Sequence, residues 1–313
     1  MADHRGGYPG FVAHRAEEPR ATVVIMTHQR RAEVLRTLDH MTSLPDAAPI
    51  IVADNGSTDG TAAHVEANHP DVPVLRLGRN LGAVARNRAA EHVTTPYIAF
   101  CDDDTRWQPG ALGRAADVLD RHPGVGAVMG RCLVEPDLTE DPLTPELRAS
   151  PVPAPSWLPG PALLSIMAGL TMIRTRAFRQ VGGFSPLLWL GGEEELLALD
   201  LITRGWWLCW DEAVVIHHAP SHSRDASRRR QLGIRNTIWT AWLRRPVTSA
   251  LRRTAAMIAE APKDRCTAGA VAEALHHLPM ILRGRRVVPD WLERRLRLLE
   301  EPQRHSPARR YVG

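Results

Sequence analysis

Asp102, Asp103 and Asp104 stand almost directly after the apolar run Tyr97-Ile98-Ala99-Phe100, separated from it only by Cys101. Three consecutive carboxylates at the end of a buried strand repel one another and lose hydration, and a divalent cation compensates both costs. At alternate positions, Asp102 and Asp104 are expected on one side of an extended segment. Mg²⁺ or Mn²⁺ held by one or two carboxylates keeps coordination positions for phosphate oxygens. Asp103 would then point elsewhere, toward a ribose or a basic partner. The plainer alternative is an acidic turn or a helix cap.

Four other clusters have residue types suited to the same chemistry. Asp54-Asn55-Gly56-Ser57-Thr58-Asp59-Gly60-Thr61 ends an apolar run. A carboxylate there accepts hydrogen bonds from a nucleobase N–H or a ribose hydroxyl, and Gly56 and Gly60 permit close approach. The competing role for Asp54 or Ser57 is a helix cap. Asn80-Leu81-Gly82 leads to Arg86, which can meet a diphosphate or a carboxylate of the acidic cluster, or simply lie at the surface. Glu193-Glu194-Glu195 follows Gly191-Gly192. Acidic residues suit a helix's first turn, and a carboxylate there can also act as a general base on an acceptor hydroxyl. His217-His218, with His222, can complete a metal shell or touch a diphosphate. Zinc fits poorly, since no Cys or suitably spaced fourth ligand is near. Neither a Gly-x-Gly-x-x-Gly fingerprint after the first strand nor a Walker-type loop occurs.

The elements that must hold these residues alternate. Strands are expected at 21–26, 49–53, 72–77 and 97–101. A helix with Val34, Leu35, Leu38 and Met41 on one face follows the first, and one through Val84, Ala85, Ala89 and Ala90 precedes the fourth. That alternation predicts a mostly parallel sheet with right-handed crossovers. A helix over 110–120, strands at 126–130, 169–173, 206–210 and 214–217, and a helix from about Glu193 to Arg204 come next. Residues 135–162 are Pro-rich and irregular. A loop of that length, with Trp157, is expected to shape or cover an acceptor pocket. From about Arg228 the pattern is helical, with Pro246 and Pro289 as breaks. Residues 1–19 lack periodicity and are expected to form a flexible leader.

The 313 residues, 44% apolar, suffice for one large α/β domain with an appendage. No run of about eighteen apolar residues suggests a membrane-spanning helix, and the polar start lacks a signal-peptide core, so a cytoplasmic protein is expected. Cys101, Cys132, Cys209 and Cys266 are far apart and are expected to be free thiols, buried in the main. The net charge of +4 is uneven: from Ser221 onward there are 20 Arg and Lys against 8 Asp and Glu. Such a segment can touch anionic lipid, nucleic acid or ligand phosphates, or form a solvated helical surface. No nucleic-acid module accompanies it, so no nucleic-acid partner is expected.

Taken in order, these residues resemble the inverting nucleotide-sugar glycosyltransferases of family 2, which have the GT-A fold. The matching pieces run from Val23-Val24-Ile25-Met26-Thr27 through the Asp54 loop, Asn80-Leu81-Gly82 with Ala85-Arg86-Asn87, and Ile98 to Asp104. They continue with Val181-Gly182-Gly183-Phe184, Gly192 to Leu196, and Val215-Ile216-His217-His218. The resemblance implies a GT-A domain over 20–240, a mostly parallel, mixed sheet flanked by helices, followed by a basic helical extension over 241–313. It implies Thr27 and Asp54 at the nucleotide, Asp102 and Asp104 as metal ligands, and His217 or His218 at the metal or diphosphate; Arg86 and Asp103, from their own placement, are also expected on the donor side. The family's usual Glu-Asp at the base position is Glu193-Glu194-Glu195 here; Glu194 is favoured as the base, then Glu193. The implied cofactor is Mg²⁺ or Mn²⁺, and the implied donor is a nucleoside-diphosphate sugar. The acceptor is a hydroxyl of a soluble metabolite or a lipid-linked glycan. The basic C-terminal part offers a peripheral membrane contact, and a homo-oligomer is left open. Two other readings compete. A sugar-phosphate nucleotidyltransferase would want a Gly-rich basic loop after the first strand, of which residues 27–31 are a poor version. A non-catalytic sugar-nucleotide-binding protein would not need the full set of carboxylates.

Overall fold

The computed structural model describes residues 18–220 and 226–306. Most of the expected leader, and His222, lie outside the described residues. Short β-branched apolar runs become buried strands: β1 (Ala21–Thr27), β2 (Ile50–Asp54), β3 (Val74–Arg76) and β4 (Tyr97–Asp102). They pair in parallel in the order β3-β2-β1-β4. The intervening helices are α1 (Arg31–Thr42), α2 (Thr61–Asn68) and α3 (Val84–Ala90). Val23, Val24 and Ile25 of the central strand have no exposed surface, because helices cover both faces of such a sheet.

The register decides where function can sit. Thr27 lies opposite Asp54, and Met26 lies opposite Asp102. The carboxyl ends of three adjacent strands are therefore level, the place where ligands bind in open α/β sheets.

After β4 the chain turns and forms β5 (Thr105–Trp107), then α4 (Ala111–Arg121), β6 (Val125–Val134), β7 (Thr139–Glu140) and α5 (Thr144–Arg148). A 3₁₀ turn over Ala168–Leu170 precedes β8 (Thr171–Arg174), α6 (Thr175–Val181), α7 (Glu193–Thr203) and β9 (Trp207–His218). β8 runs antiparallel between β4 and β6, and β9 runs parallel to β6. The sheet is thus mixed, with nine strands among the described residues. Two expected strands, 206–210 and 214–217, are one strand whose register shifts opposite Gly130 and Arg131. That irregularity hides the continuity, since a bulge breaks the two-residue alternation. Part of the expected irregular loop contains β7 and α5. Gly169, expected in a strand, belongs to the 3₁₀ turn.

The rest is helical: α8 (Ala226–Arg244), α9 (Val247–Glu260), α10 (Arg265–His276), α11 (Leu278–Arg283) and α12 (Asp290–His305). Pro246 and Pro289 are the N-caps of α9 and α12. Helix α8 runs straight through residue 240, where a domain limit was expected. Leu188 and Leu196 share a buried cluster with Ile234, Ile238, Trp239 and Leu243. Val288, Leu292 and Leu296 join the main core. Arg244 grips Asp200 with two bonds of 2.6 and 2.8 Å, and Arg245 grips Glu293 with two of 2.9 Å. All four cysteines are free, three buried and Cys266 half-buried. Among the described residues no helix is long and apolar enough to cross a membrane.

Candidate active site

The acidic cluster does not continue as an extended strand. The Asp102 N–H donates to Thr105 Oγ1 at 2.8 Å, and the chain turns at Asp103 and Asp104. The alternation expected of Asp102 and Asp104 therefore gives way to three different surroundings. Asp103 accepts from Thr27 Oγ1 and from Arg30 Nη1, both at 2.9 Å. Arg30 Nη1 also donates to Asp104 Oδ2 at 3.0 Å. Burial pushes the Asp103 carboxyl up to about 7, against the pull of Arg30 and with Asp104 and Asp102 adding repulsion. Arg30 carries no special sequence signal beyond following the first strand, in a chain rich in arginine.

Asp102 is ion-paired with Arg86, whose side chain is buried. The guanidinium sits 5.6 Å over the Phe184 ring. Its Nε and Nη1 have no hydrogen-bond partner among the described residues. Glu193 and Glu194 lie within its field as well. One cation thus serves three carboxylates. Burial raises both glutamates above the ordinary range, and Arg86 offsets only part of this. For Glu194, burial and the neighbouring Glu193 push the carboxyl up to about 8, although the Ala168 N–H donates to it at 2.9 Å.

On the β2 side, Asp54 is buried and accepts the Ser57 N–H at 3.3 Å. It is not a helix cap, since Gly60 takes that position in α2. Its neighbour Asn55 has an unforeseen part. Its side chain donates to Asn80 Oδ1 and Gly82 O at 3.1 Å and accepts the Leu81 N–H at 2.7 Å, which holds the 80–82 turn. Gly82 has φ +62°, and a Cβ there would lie 2.3 Å from the Trp189 carbonyl oxygen. That oxygen accepts the Ala83 N–H at 2.7 Å. Trp189 itself has φ +61°, a rare conformation for a bulky residue. Asn236 of α8 secures this loop, its amide donating to Leu188 O at 2.8 Å and Leu190 O at 3.1 Å and also to Gly191 O. Nothing in the spacing of Asn236 announces that contact.

The two histidines at the end of β9 diverge. His218 Nε2 lies 3.7 Å from Asp104 Oδ1, whereas His217 Nδ1 lies 3.6 Å from Glu135. Glu135 is also bonded to Arg106 at 3.0 Å. Among the described residues no group of three or more His, Cys, Asp or Glu is arranged to hold a metal ion. Mg²⁺ does not ask for such a cage, since one or two carboxylates suffice when substrate phosphates complete the shell. The Asp104 carboxylate beside the His218 imidazole, with Asp102 one turn away, is a donor set of that kind.

Glu194 and Glu195 line a cavity of about 430 Å³. Gly191 and Gly192 form one wall; Thr237 of α8, Arg253 of α9 and Arg304 of α12 form others. From the 135–162 loop, Leu143 reaches it. Trp157 does not: it packs edge-to-face on Trp207, 6.1 Å between centroids, at the far end of β9 from His218.

The profile of glycosyl transferase family 2 matches residues 22–182, just over half of the chain. The chain belongs to that family. This glycosyltransferase is 27% identical over 286 residues to the N-acetylglucosaminyl-diphospho-decaprenol L-rhamnosyltransferase of Mycobacterium tuberculosis, covering 75% of this chain and 90% of the relative. Its fold is shared with mannosyltransferase PcManGT of Pyrobaculum calidifontis, solved with GDP-Man and Mn²⁺, at a TM-score of 0.55 and 21% identity over 94% of this chain and 78% of that one. GalNAc-T7, solved with UDP, GalNAc and Mn²⁺, aligns at a TM-score of 0.64 and 13% identity over 94% of this chain and 59% of its own. The GT-A architecture expected from the ordered motifs is the one observed.

Proposed function

We propose that this glycosyltransferase moves a sugar from a nucleoside-diphosphate sugar to an acceptor hydroxyl, with inversion at the anomeric carbon and with a divalent metal. One observation carries the reading: Glu194 borders the 430 Å³ cavity while sharing Arg86 with Asp102 of the strand-end cluster. A base and a phosphate-side carboxylate are thereby joined through one cation. Thr27 and Asp54, level on β1 and β2, take the nucleotide. Asp104 and His218, with Asp102, would hold Mg²⁺ or Mn²⁺, which when bound offsets negative charge on the leaving diphosphate.

The chain's own residues do the rest. Glu194 accepts the proton of the acceptor hydroxyl. The oxygen then attacks the anomeric carbon from the face opposite the diphosphate, so that the C–O bond to the donor breaks as the new glycosidic bond forms. Glu193, buried beside Arg86, sets the charge around that base. Arg30 holds Asp103 and Asp104 in place, and Asn236 and Asn55 hold the loops on either side of Trp189. The acceptor occupies the cavity. Its hydroxyl belongs to a soluble metabolite or to a lipid-linked glycan, the class named for the mycobacterial relative.

The test is donor turnover with common nucleotide sugars and acceptors, with and without Mn²⁺. Metal-dependent release of nucleoside diphosphate, a product anomer opposite to the donor's, and loss of both in Asp104→Asn and Glu194→Gln are expected. A folded wild-type protein that binds nucleotide sugars yet turns none over would overturn the reading in favour of a binding protein.

A further inference from the structure

Eleven large apolar side chains are exposed among the described residues, and nine of them lie between Val247 and Leu298. Three are on α9: Val247, Leu251 and Ile258, at 52%, 54% and 38% exposure. Spacings of four and seven residues put them on one stripe of that helix. Thr248, Arg252, Ala255 and Ala259 flank the stripe and are exposed too. The outer face of α9 therefore carries no carboxylate before Glu260 at its end. The inner face is already used: Ser249, Ala250 and Met257 are buried, and Ser249 accepts from Arg297 of α12 at 3.1 Å.

An apolar stripe left in water on a helix whose other side is packed marks a docking surface. Charge selects its occupant. The chain from Ser221 onward carries 20 basic against 8 acidic residues. Two copies meeting through this region would repel, whereas an anionic surface attracts it. With no helix among the described residues able to cross a bilayer, the contact is interfacial. The same helix builds the cavity, since Arg252, Arg253 and Ala256 line it together with Glu194.

We infer that the outer face of α9, through Val247, Leu251 and Ile258, docks on an anionic lipid bilayer and seats the cavity beside the lipid surface. The use of this contact for delivering an acceptor rests on the proposed transferase reading; the contact itself does not.

Flotation of the full chain with vesicles tests it, in the absence of donor and acceptor. Binding to vesicles of equal parts phosphatidylcholine and phosphatidylglycerol is expected, weaker binding to pure phosphatidylcholine, and a steady loss as salt rises. Val247→Glu with Leu251→Glu should lower the affinity about tenfold or more, since two apolar side chains leave the interface. Ile258→Glu serves as an independent second variant. Both should unfold at the wild-type temperature and keep nucleotide-sugar binding. Wild-type protein that stays unbound with anionic vesicles would overturn the inference, as would folded variants that float like wild type. A lipid-free dimer abolished by the same substitutions would overturn it in favour of a second copy of the chain. Because no turnover is measured, failure here and failure of the transferase reading are read separately.

Discussion

As the proposed base, Glu194 has to be ionised before it can take a proton from an acceptor hydroxyl, and it resists ionisation. Burial and Glu193 hold its proton up to about 8, well above an ordinary glutamate at about 4.3. The sign follows directly: a raised carboxyl is protonated, and idle as a base, over a wider range of pH. The acid limb of kcat/KM should therefore fall near neutrality or slightly above, and activity should decline as pH drops through that window. A pH profile of initial rates checks this; a limb at the ordinary carboxylate range would remove Glu194 from the role. At this scale the sequence was readable where charge clustered. Asp102 and Glu194 announce themselves because like charges in an apolar setting need a reason. Arg30 and Asn236 do not, because an arginine after a strand and an asparagine in a helix acquire meaning only through partners 73 and 45 or more residues away.

At the scale of elements, the parallel core was legible because its strands are short, continuous and apolar, and the order of motifs followed the order of strands. What escaped was irregular. The shift opposite Gly130 and Arg131 concealed one long strand, and the turn at Asp103 and Asp104 broke an alternation that an extended chain would have kept. The loop before α7 depends on a distant support. Asn236→Ala removes one amide that donates to three carbonyls, at an expected cost of about 1–3 kcal/mol. Since that loop leads into the glutamates, kcat for transfer should fall more than nucleotide affinity does. Denaturant unfolding and donor titration measure the two effects; equal losses in both would make Asn236 a purely structural residue.

For the molecule as a whole, composition showed that the last third differs in charge, but not that it is built into the rest. A chain ending at residue 240 would cut α8 before Leu243 and Arg244 and strip Val288, Leu292 and Leu296 from the main core. Leucine-sized losses of this kind each cost about 2–5 kcal/mol, comparable to much of a domain's total stability. Such a chain is expected to be unfolded or insoluble, which circular dichroism and solubility would report. A soluble, cooperatively melting product would support a domain limit at residue 240.

Arg86 joins these scales. A single guanidinium is divided between Asp102 and the two glutamates, so in the proposed roles the donor end and the acceptor end would compete for one counter-ion. A donor complex that engaged Asp102 would leave more of the guanidinium's charge to Glu193 and Glu194, and their hold on protons would slacken. By reciprocity, losing that proton tightens the donor. An enzyme wired this way would ready its base only after the sugar had arrived, and would favour a fixed sequence of arrivals: donor first, acceptor second.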